Sequence, residues 1–165
     1  MQITPKNTKI ELDKFFKAVI KKSRSNLKKN DSIASKDLYN NMKYESKGMP
    51  NSLQATLSLE DYAKFVDQGV KGVSSGRSLS NFKYTNKKPP MRFLRTWLKR
   101  KKGVFRQRNL TQQAFIVQNI IYQRGIKPTE FYTKPFREEF ANLPNELVEA
   151  YALDVEDFLE FVFKD

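Results

Sequence analysis

Carboxylates, lysine and tyrosine are the side chains with which this sequence could perform acid–base or metal chemistry. The 165 residues include no histidine and no cysteine, which excludes disulfides, thiolate zinc sites and every catalytic triad that depends on imidazole. Asp37 followed by Glu45-Ser46-Lys47 has the acid, acid-x-lysine pattern of one class of metal-dependent nuclease, in which carboxylates hold magnesium and lysine steadies the attacking water. Such a pattern arises by chance in a lysine-rich chain. We therefore expect polar surface residues of a hairpin here, with a nuclease as the less favoured alternative.

Two further groups of residues could form ligand sites but lack the setting that such sites require. Gly69, Gly72 and Gly76 do not lie between a strand and a helix as in a phosphate-binding loop, so we expect them to provide flexibility. Three acidic residues near the C-terminus fall on three different sides of a helix, which predicts a solvated or partner-facing surface and not a metal site. They are Asp154, Glu156 and Asp157. The sequence thus predicts a protein that is not an enzyme and has no cofactor and no metal.

The densest basic segment, RFLRTWLKRKKGVFRQR at residues 92–108, mixes cations with aromatic rings. Cations neutralise phosphates and release counterions, and exposed rings can stack on bases. Trp97 has core spacing, so we expect its ring to be buried. No recognisable nucleic-acid-binding module is present, so we predict contacts without base-specific readout. The cations that we expect to face nucleic acid are Arg92, Arg95, Lys99, Arg100, Lys101, Lys102, Arg106 and Arg108.

The charge of the chain is +13 and is unevenly distributed along the sequence. Residues 1–109 hold 26 Lys and Arg against 8 Asp and Glu, whereas residues 110–165 hold 5 against 10. A basic field of this size attracts nucleic acid, an acidic membrane surface or an acidic protein, and does not by itself distinguish them. No apolar run approaches the roughly 18 residues that a membrane-spanning helix needs, and the N-terminus has no signal-peptide pattern. We therefore expect a soluble, unprocessed protein that does not interact with membranes.

Hydrophobic periodicity predicts four long helices. The first covers residues 9–29, begins at a capping box formed by Thr8 and Glu11, and carries a solvated basic face. The second runs from Met91 to Lys102, opened by Pro89-Pro90 and closed by Gly103. The third begins near Leu110 and ends at Gly125, and the fourth covers residues 143–163. In the fourth helix, apolar residues at alternating three- and four-residue steps predict a narrow seam. The seam consists of Val148, Tyr151, Val155, Phe158 and Val162.

The remaining elements are short. Alternation predicts a β-hairpin at residues 38–58 with a turn at 47–51. Ser58 and Asp61 are predicted to cap a short helix that ends at Gly69 and turns Leu59, Tyr62, Ala63 and Val66 inward. A polar loop at about 70–90 follows, with a short strand near 81–85 that includes Phe82 and Tyr84, and residues 125–135 are predicted to form a turn and an extended segment. We predict a single α+β domain over residues 1–165, with a small antiparallel sheet packed against amphipathic helices.

Two sequence segments resemble a known family. YAKFVDQGVKG, which precedes the polar loop, and GIKPTEFYTKPF are similar to segments of the small neck and tail-component proteins of tailed bacteriophages, of the head–tail connector or tail-completion type. In that family a Tyr-Ala-x-aromatic-Val-acid-x-Gly segment leads into a variable loop, and a late Pro-x-x-Phe segment precedes a terminal helix. The matching positions are Tyr62, Ala63, Phe65, Val66, Asp67, Gly69, Gly125, Pro128, Thr129 and Phe131.

The resemblance implies a virion structural protein, assembled in the host cytoplasm, that forms a ring of identical subunits at the head–tail junction. Its partners would be its own copies, the portal or connector and tail proteins, with DNA contacted only non-specifically. Unlike charges at the two ends of the chain would suit a contact in which copies meet head to tail. We expect the subunit interface to include Phe82, Tyr84, Glu149, Glu156, Asp157 and Glu160. A non-specific nucleic-acid-binding accessory protein is the main alternative.

Overall fold

The computed structural model describes residues 5–29, 36–49, 52–74, 80–100 and 109–163. Helices dominate these residues and two small antiparallel sheets accompany them, so the predicted α+β class is confirmed. The helices are α1 Lys6–Lys29, α2 Lys36–Asn40, α3 Ala63–Gln68, α4 Met91–Arg100, α5 Leu110–Arg124, α6 Thr133–Phe140 and α7 Leu143–Phe163. The strands are β1 Lys43–Met49, β2 Ser52–Ser58, β3 Val70–Lys71 and β4 Gly125–Ile126. Strand β1 pairs with β2, and β3 pairs with β4.

The long elements agree closely with the sequence-based expectations. Helix α7 has the predicted bounds, α5 begins behind an Asn109 side chain that accepts from the Gln112 N–H, and Gly125 follows its last residue. The hairpin is confirmed, with Lys43 opposite Ser58 and Met49 opposite Ser52, but residues 47–49, which were expected in the turn, belong to β1. Residues 36–40, however, form a helical turn where the hairpin was expected to begin. The predicted closure of α4 at Gly103 falls on residues that the structure does not describe.

Two predictions about helix starts are wrong. No side chain caps α3, and its flanking Tyr62 is exposed, not turned inward. Helix α6 was not predicted, because residues 125–135 were expected to form a turn and an extended segment; Pro135 lies at its third position. Proline in the first helical turn loses no intrahelical hydrogen bond, so the residues from Thr133 can be helical.

Residue contacts group the chain into two compact units. Unit 1 consists of Met1–Ser25, Asn41–Leu59 and Tyr132–Asp165, and unit 2 of Asn26–Asn40 and Glu60–Phe131. The single-domain assignment over residues 1–165 stays a prediction.

The core of unit 1 forms where α1, α7 and the β1–β2 hairpin meet. Phe15, Phe16 and Val19 of α1 are buried against Leu143 of α7. The Phe16 ring stacks on Tyr44 of β1 at a centroid distance of 5.7 Å. Leu57 of β2 packs on the same cluster, together with Leu12, Ala55 and Leu147. The alternation of β2 thus places one of its faces on the core, as its sequence predicts.

The first turn of α1 is capped from α7. The Asp154 carboxylate accepts hydrogen bonds from the Asn7 N–H at 2.7 Å, from the Thr8 N–H at 2.9 Å and from the Thr8 hydroxyl at 2.6 Å. Because α1 begins at Lys6, the Thr8 and Glu11 capping box is wrong. Asp154 is only 4% exposed, so its assignment to a solvated or partner-facing surface is also wrong.

Unit 2 is built around the pair of helices α4 and α5. Leu94 and Leu98 of α4 are buried against Ala114 and Val117 of α5. Trp97 packs against the same cluster but is only partly buried, so the expected burial of its ring is incomplete. The spacing of these residues leaves the opposite side of α4 free for polar side chains.

Candidate interfaces for nucleic acid and protein

Three predicted cations lie on the outer side of α4. Arg92, Arg95 and Lys99 follow each other at three- and four-residue steps and are all exposed, opposite the buried Leu94 and Leu98. Residues with this spacing share one side of a helix. Arg95 Nη2 donates to Thr111 Oγ1 at 3.2 Å. The other five predicted cations have side chains outside the part of the chain that the structure describes.

An exposed aromatic ring accompanies these cations. The Phe93 side chain is 59% exposed, and the Arg92 guanidinium lies over its ring at 4.6 Å from the centroid. A ring beside cations is the arrangement by which proteins stack exposed bases while they neutralise the backbone. The α4 face, defined here as Arg92, Phe93, Arg95 and Lys99, therefore has the chemistry of a sequence-independent nucleic-acid contact.

The two units differ in net charge in a way that the order of residues along the sequence does not show. The residues of unit 1 include 12 Lys and Arg and 12 Asp and Glu, whereas those of unit 2 include 19 against 6. Unit 1 is therefore neutral and unit 2 carries the whole net charge of +13. The expectation of two oppositely charged ends needs this correction, because the basic α1 and the acidic C-terminal segment belong to the same unit.

Ion pairs within unit 1 illustrate this neutralisation. Lys22 of α1 lies 2.5 Å from a Glu139 carboxylate oxygen and 3.8 Å from Glu138. The hydrogen bond to Glu139 raises the pKa of Lys22 above its ordinary value. Part of the basic face of α1 is therefore paired within the chain and is not simply solvated.

Both ends of the polar loop are ordered against their own unit. Lys71 of β3 accepts a hydrogen bond from the Tyr84 N–H at 2.9 Å and donates one to the Phe82 carbonyl at 2.8 Å. Where a short strand was expected near residues 81–85, the structure thus has only an isolated parallel bridge between Lys71 and Lys83. The buried Ser80 hydroxyl donates to the Gly69 carbonyl. The Phe82 ring meets Phe65 edge to face at 4.8 Å. Residues 75–79 are not described, so the tip of the loop lies outside these observations.

The two interface aromatics of the loop are half-buried within the chain. Tyr84 lies 6.3 Å from the Tyr122 ring of α5, and its burial raises the pKa of its hydroxyl. Phe82 and Tyr84 therefore contribute to the packing of unit 2. Their role in a subunit interface stays a prediction.

The two segments YAKFVDQGVKG and GIKPTEFYTKPF pack on each other. The Thr129 N–H donates to the carbonyls of Val66 and Asp67, and the Thr129 hydroxyl donates to Val66 at 2.8 Å. Val70 pairs with Ile126 and Lys71 with Gly125 in the β3–β4 ladder. Phe131 and Asp67 are both fully buried. Most of the matching positions thus stabilise one structural feature, although Tyr62 and Phe65 are exposed.

Gly69 and Gly125 are required by close approaches between these segments. Their φ angles are 72° and 78°, with ψ near 180°, a conformation that only glycine adopts readily. A Cβ atom on either residue would collide with the backbone of the other segment. Gly72 meets the backbone of residues 123–125 in the same way. The expectation that Gly69 and Gly72 provide flexibility is therefore wrong, and Gly76 is not described.

Helix α7 turns an unexpected face toward the core. Leu143, Ala150 and Asp154 are buried, whereas most of the predicted seam is exposed. Val148 is 69% exposed, Tyr151 57% and Val162 42%. The acidic residues predicted at a subunit interface, Glu149, Glu156, Asp157 and Glu160, are also exposed. Asp157 accepts a 3.3 Å hydrogen bond from the Asn7 side chain.

The nuclease pattern does not form a metal site within the described ranges. Among those residues, no three acidic, cysteine or histidine side chains are placed to hold a metal ion. Glu45 and Lys47 are exposed on β1, and the Ser46 hydroxyl donates to Asp13 at 2.9 Å. Over the same described ranges, no helix has the length and apolar content needed to cross a membrane.

Sequence reasoning missed Asp154 as an organising residue of unit 1. Its distance of 146 residues from Thr8 hides the capping contact from any local pattern. The only available signal was that an acidic residue interrupts an otherwise apolar stripe formed by Leu143, Leu147 and Ala150.

Comparison of the chain with protein-family models, with curated protein sequences and with solved structures gave no match.

Proposed function

We propose that this chain is a non-enzymatic structural subunit of a tailed-bacteriophage virion that assembles with its own copies into a ring at the head–tail junction. In this role unit 1 makes protein contacts, and unit 2 faces DNA that passes through the ring. The portal or connector and the tail proteins would bind the two rims. The subunit would be a neck or tail-completion component, assembled in the host cytoplasm.

The observation that carries this proposal is the division of properties between the two units. Unit 1 is neutral and exposes an apolar seam on α7, which suits contact with protein. Unit 2 has a charge of +13 and exposes the α4 face, which suits phosphate. A subunit that encloses DNA needs both kinds of surface. The neck and tail-completion class is proposed from the sequence resemblance of YAKFVDQGVKG and GIKPTEFYTKPF alone.

A non-specific nucleic-acid-binding accessory protein is the second candidate. The exposed Phe93 ring beside Arg92 favours it, because a ring that stacks on bases is more useful on single strands than on passing duplex. The two functions differ in whether the monomer binds nucleic acid. An accessory protein would bind nucleic acid as a monomer, with an affinity that falls steeply as the salt concentration rises. A monomer of a ring subunit would bind nucleic acid only weakly.

Native mass spectrometry of the purified full chain tests the proposed assembly. We expect one closed oligomer whose mass is an integral multiple of 19.4 kDa, because contact between unlike surfaces closes into rings of fixed number. Electron microscopy of the same sample should reveal particles with a central hole. A chain that stays monomeric at all concentrations, yet binds nucleic acid tightly, would contradict the ring subunit and support the accessory protein.

Neutralisation of the α4 face is expected to weaken DNA binding. The triple substitution Arg92→Gln, Arg95→Gln, Lys99→Gln should lower the affinity for duplex DNA about tenfold and reduce the slope of log K against log salt by about 2 to 3. Fluorescence anisotropy with labelled DNA over a series of salt concentrations measures both quantities.

The matched control removes the same number of charges from unit 1. Lys9→Gln, Lys43→Gln, Lys47→Gln changes three exposed lysines and is expected to leave the slope nearly unchanged. If the two triple variants lost affinity for duplex DNA equally, the total charge of the chain, and not the α4 face, would determine DNA binding.

A further inference from the structure

Helix α7 exposes an apolar strip that its own unit does not cover. Val148, Val155 and Val162 recur every seven residues, with Tyr151 between the first two, so all four lie on one side of the helix. Val148 and Tyr151 are 69% and 57% exposed, whereas the buried side of α7 is formed by Leu143 and Ala150. Contiguous exposed apolar residues on a helix indicate a surface that binds protein.

Exposed carboxylates lie on the same outer half of α7, farther around the helix. Glu149 and Glu156 each follow a valine of the strip, so each lies about 100° around the helix axis from that valine. Being seven residues apart, they are separated by about 10.5 Å along the helix axis. The outer face of α7, defined as this apolar strip with Glu149 and Glu156, therefore requires a partner that is basic and partly apolar.

Helix α1 presents a surface with the complementary pattern. Lys14, Lys17 and Lys21 share the side of α1 opposite Phe15 and Val19 and are exposed, and Ile10 on the same side is 44% exposed. Lys14 and Lys21 are also seven residues apart, which gives the same separation of about 10.5 Å. This outer face of α1 is distinct from the side on which Lys22 pairs with Glu139. Lys14 also contacts Glu11 at 2.6 Å.

We propose that the outer face of α7 in one copy of the chain docks on the outer face of α1 in the next copy, with Glu149 and Glu156 opposite Lys14 and Lys21. This inference rests on the proposed function and names the surfaces that would form the ring. Because the two faces differ, the contact is heterologous and can propagate around a closed ring. Pairing α7 with α7 would bring two rows of glutamates together, and like charges at an interface weaken it.

Charge reversal at each face tests the contact. Variant A carries Glu149→Lys and Glu156→Lys, and variant B carries Lys14→Glu and Lys21→Glu. Each variant alone is expected to associate at least about tenfold more weakly than the native chain, because each native opposite-charge pair becomes a like-charge pair. Analytical ultracentrifugation measures association, and circular dichroism verifies that the helices remain. A control with Glu45→Lys and Glu146→Lys, which reverses two exposed carboxylates elsewhere in unit 1, should associate like the native chain.

Mixing the variants gives the decisive result. In a mixture of A and B every contact between unlike chains again joins opposite charges, so we expect assemblies in which A and B alternate. A chain with all four substitutions should also assemble by itself. A separate variant, Val148→Asp, should lose assembly because it places a charge in the apolar strip.

The outcomes separate this inference from the proposed function. If the native chain forms rings but variant B assembles as well as the native chain, or the chain with all four substitutions fails to assemble, the docking of α7 on α1 is overturned while the ring subunit stands. If the native chain forms no oligomer at any concentration, the proposed function fails and the docking fails with it.

Discussion

Replacement of Gly125 by alanine is expected to lower the free energy of unfolding of unit 2 by about 3 kcal/mol or more, because a non-glycine residue in this conformation costs about 1 to 3 kcal/mol before any collision is counted. The collision is with backbone, which cannot move aside as a side chain can. An alanine Cβ would meet the Val70 carbonyl oxygen and the Gly72 nitrogen. The β3–β4 pairing would have to separate to admit it. Gly69→Ala should have a comparable effect, since its Cβ would meet the Ile126 carbonyl.

Urea unfolding followed by Trp97 fluorescence measures this loss. The chain has one tryptophan, which packs on the core of unit 2, so its emission reports on that unit. Gly48→Ala in unit 1 is the control for the glycine-to-alanine change itself, because a Cβ there would meet only Leu53 Cδ1 at 4.0 Å. Since Trp97 reports on unit 2, this control should leave the Trp97 transition unchanged. Equal stability of Gly125→Ala and the native chain would show that β3 and β4 do not pair as described.

Replacement of Asp154 by alanine is expected to cost about 2 kcal/mol, because it removes a charged acceptor from the first turn of α1 and leaves part-buried donors without a partner. Far-UV circular dichroism during urea unfolding reports this change through the helices of unit 1. Asp157→Ala is the control one turn along α7. Its carboxylate is exposed and accepts a single 3.3 Å hydrogen bond, so its removal should change stability by less than about 0.5 kcal/mol.

The Asp154 contribution should depend on pH in a defined direction. Burial by itself would raise the pKa of this carboxyl, but the hydrogen bonds donated by Thr8 and Asn7 outweigh burial and hold the pKa below its ordinary value of 3.8. A depressed pKa in the folded state means that the stabilisation is present above that ordinary value and is lost as the pH falls through the folded-state value. The stability difference between the native chain and Asp154→Asn should therefore shrink below pH 3.8. A difference that is constant down to lower pH would contradict the capping role.

The long helices and the hairpin could be predicted from the sequence because the residues that specify them lie within each element. Alternation in residues 53–59 and the stripe of α5 specify period and boundary without reference to distant residues. The tertiary capping of α1 by Asp154 could not be predicted in this way, since the two groups meet only when α7 packs beside α1. The same limit applies to Gly69 and Gly125, whose constraint comes from a segment more than fifty residues away.

The bounds of helix α7 were predicted correctly, but the side of the helix that faces the core was not. Its sequence contains two apolar stripes, one with Val148 and Tyr151 and one with Leu143 and Ala150. The second stripe also contains Asp154, whose hydrogen bonds to α1 form only with that side of α7 toward the core. The displaced stripe is left exposed, and this exposure is the basis of the docking contact that we propose.

A cryo-electron-microscopy reconstruction of the assembled full chain with duplex DNA tests the proposed ring and its DNA-facing surface together. We expect a closed ring of identical subunits with the α4 face, Arg92, Arg95 and Lys99 included, lining a hole that contains the DNA. Single subunits scattered along the DNA, or a ring whose α4 faces all point away from the hole, would contradict this proposal.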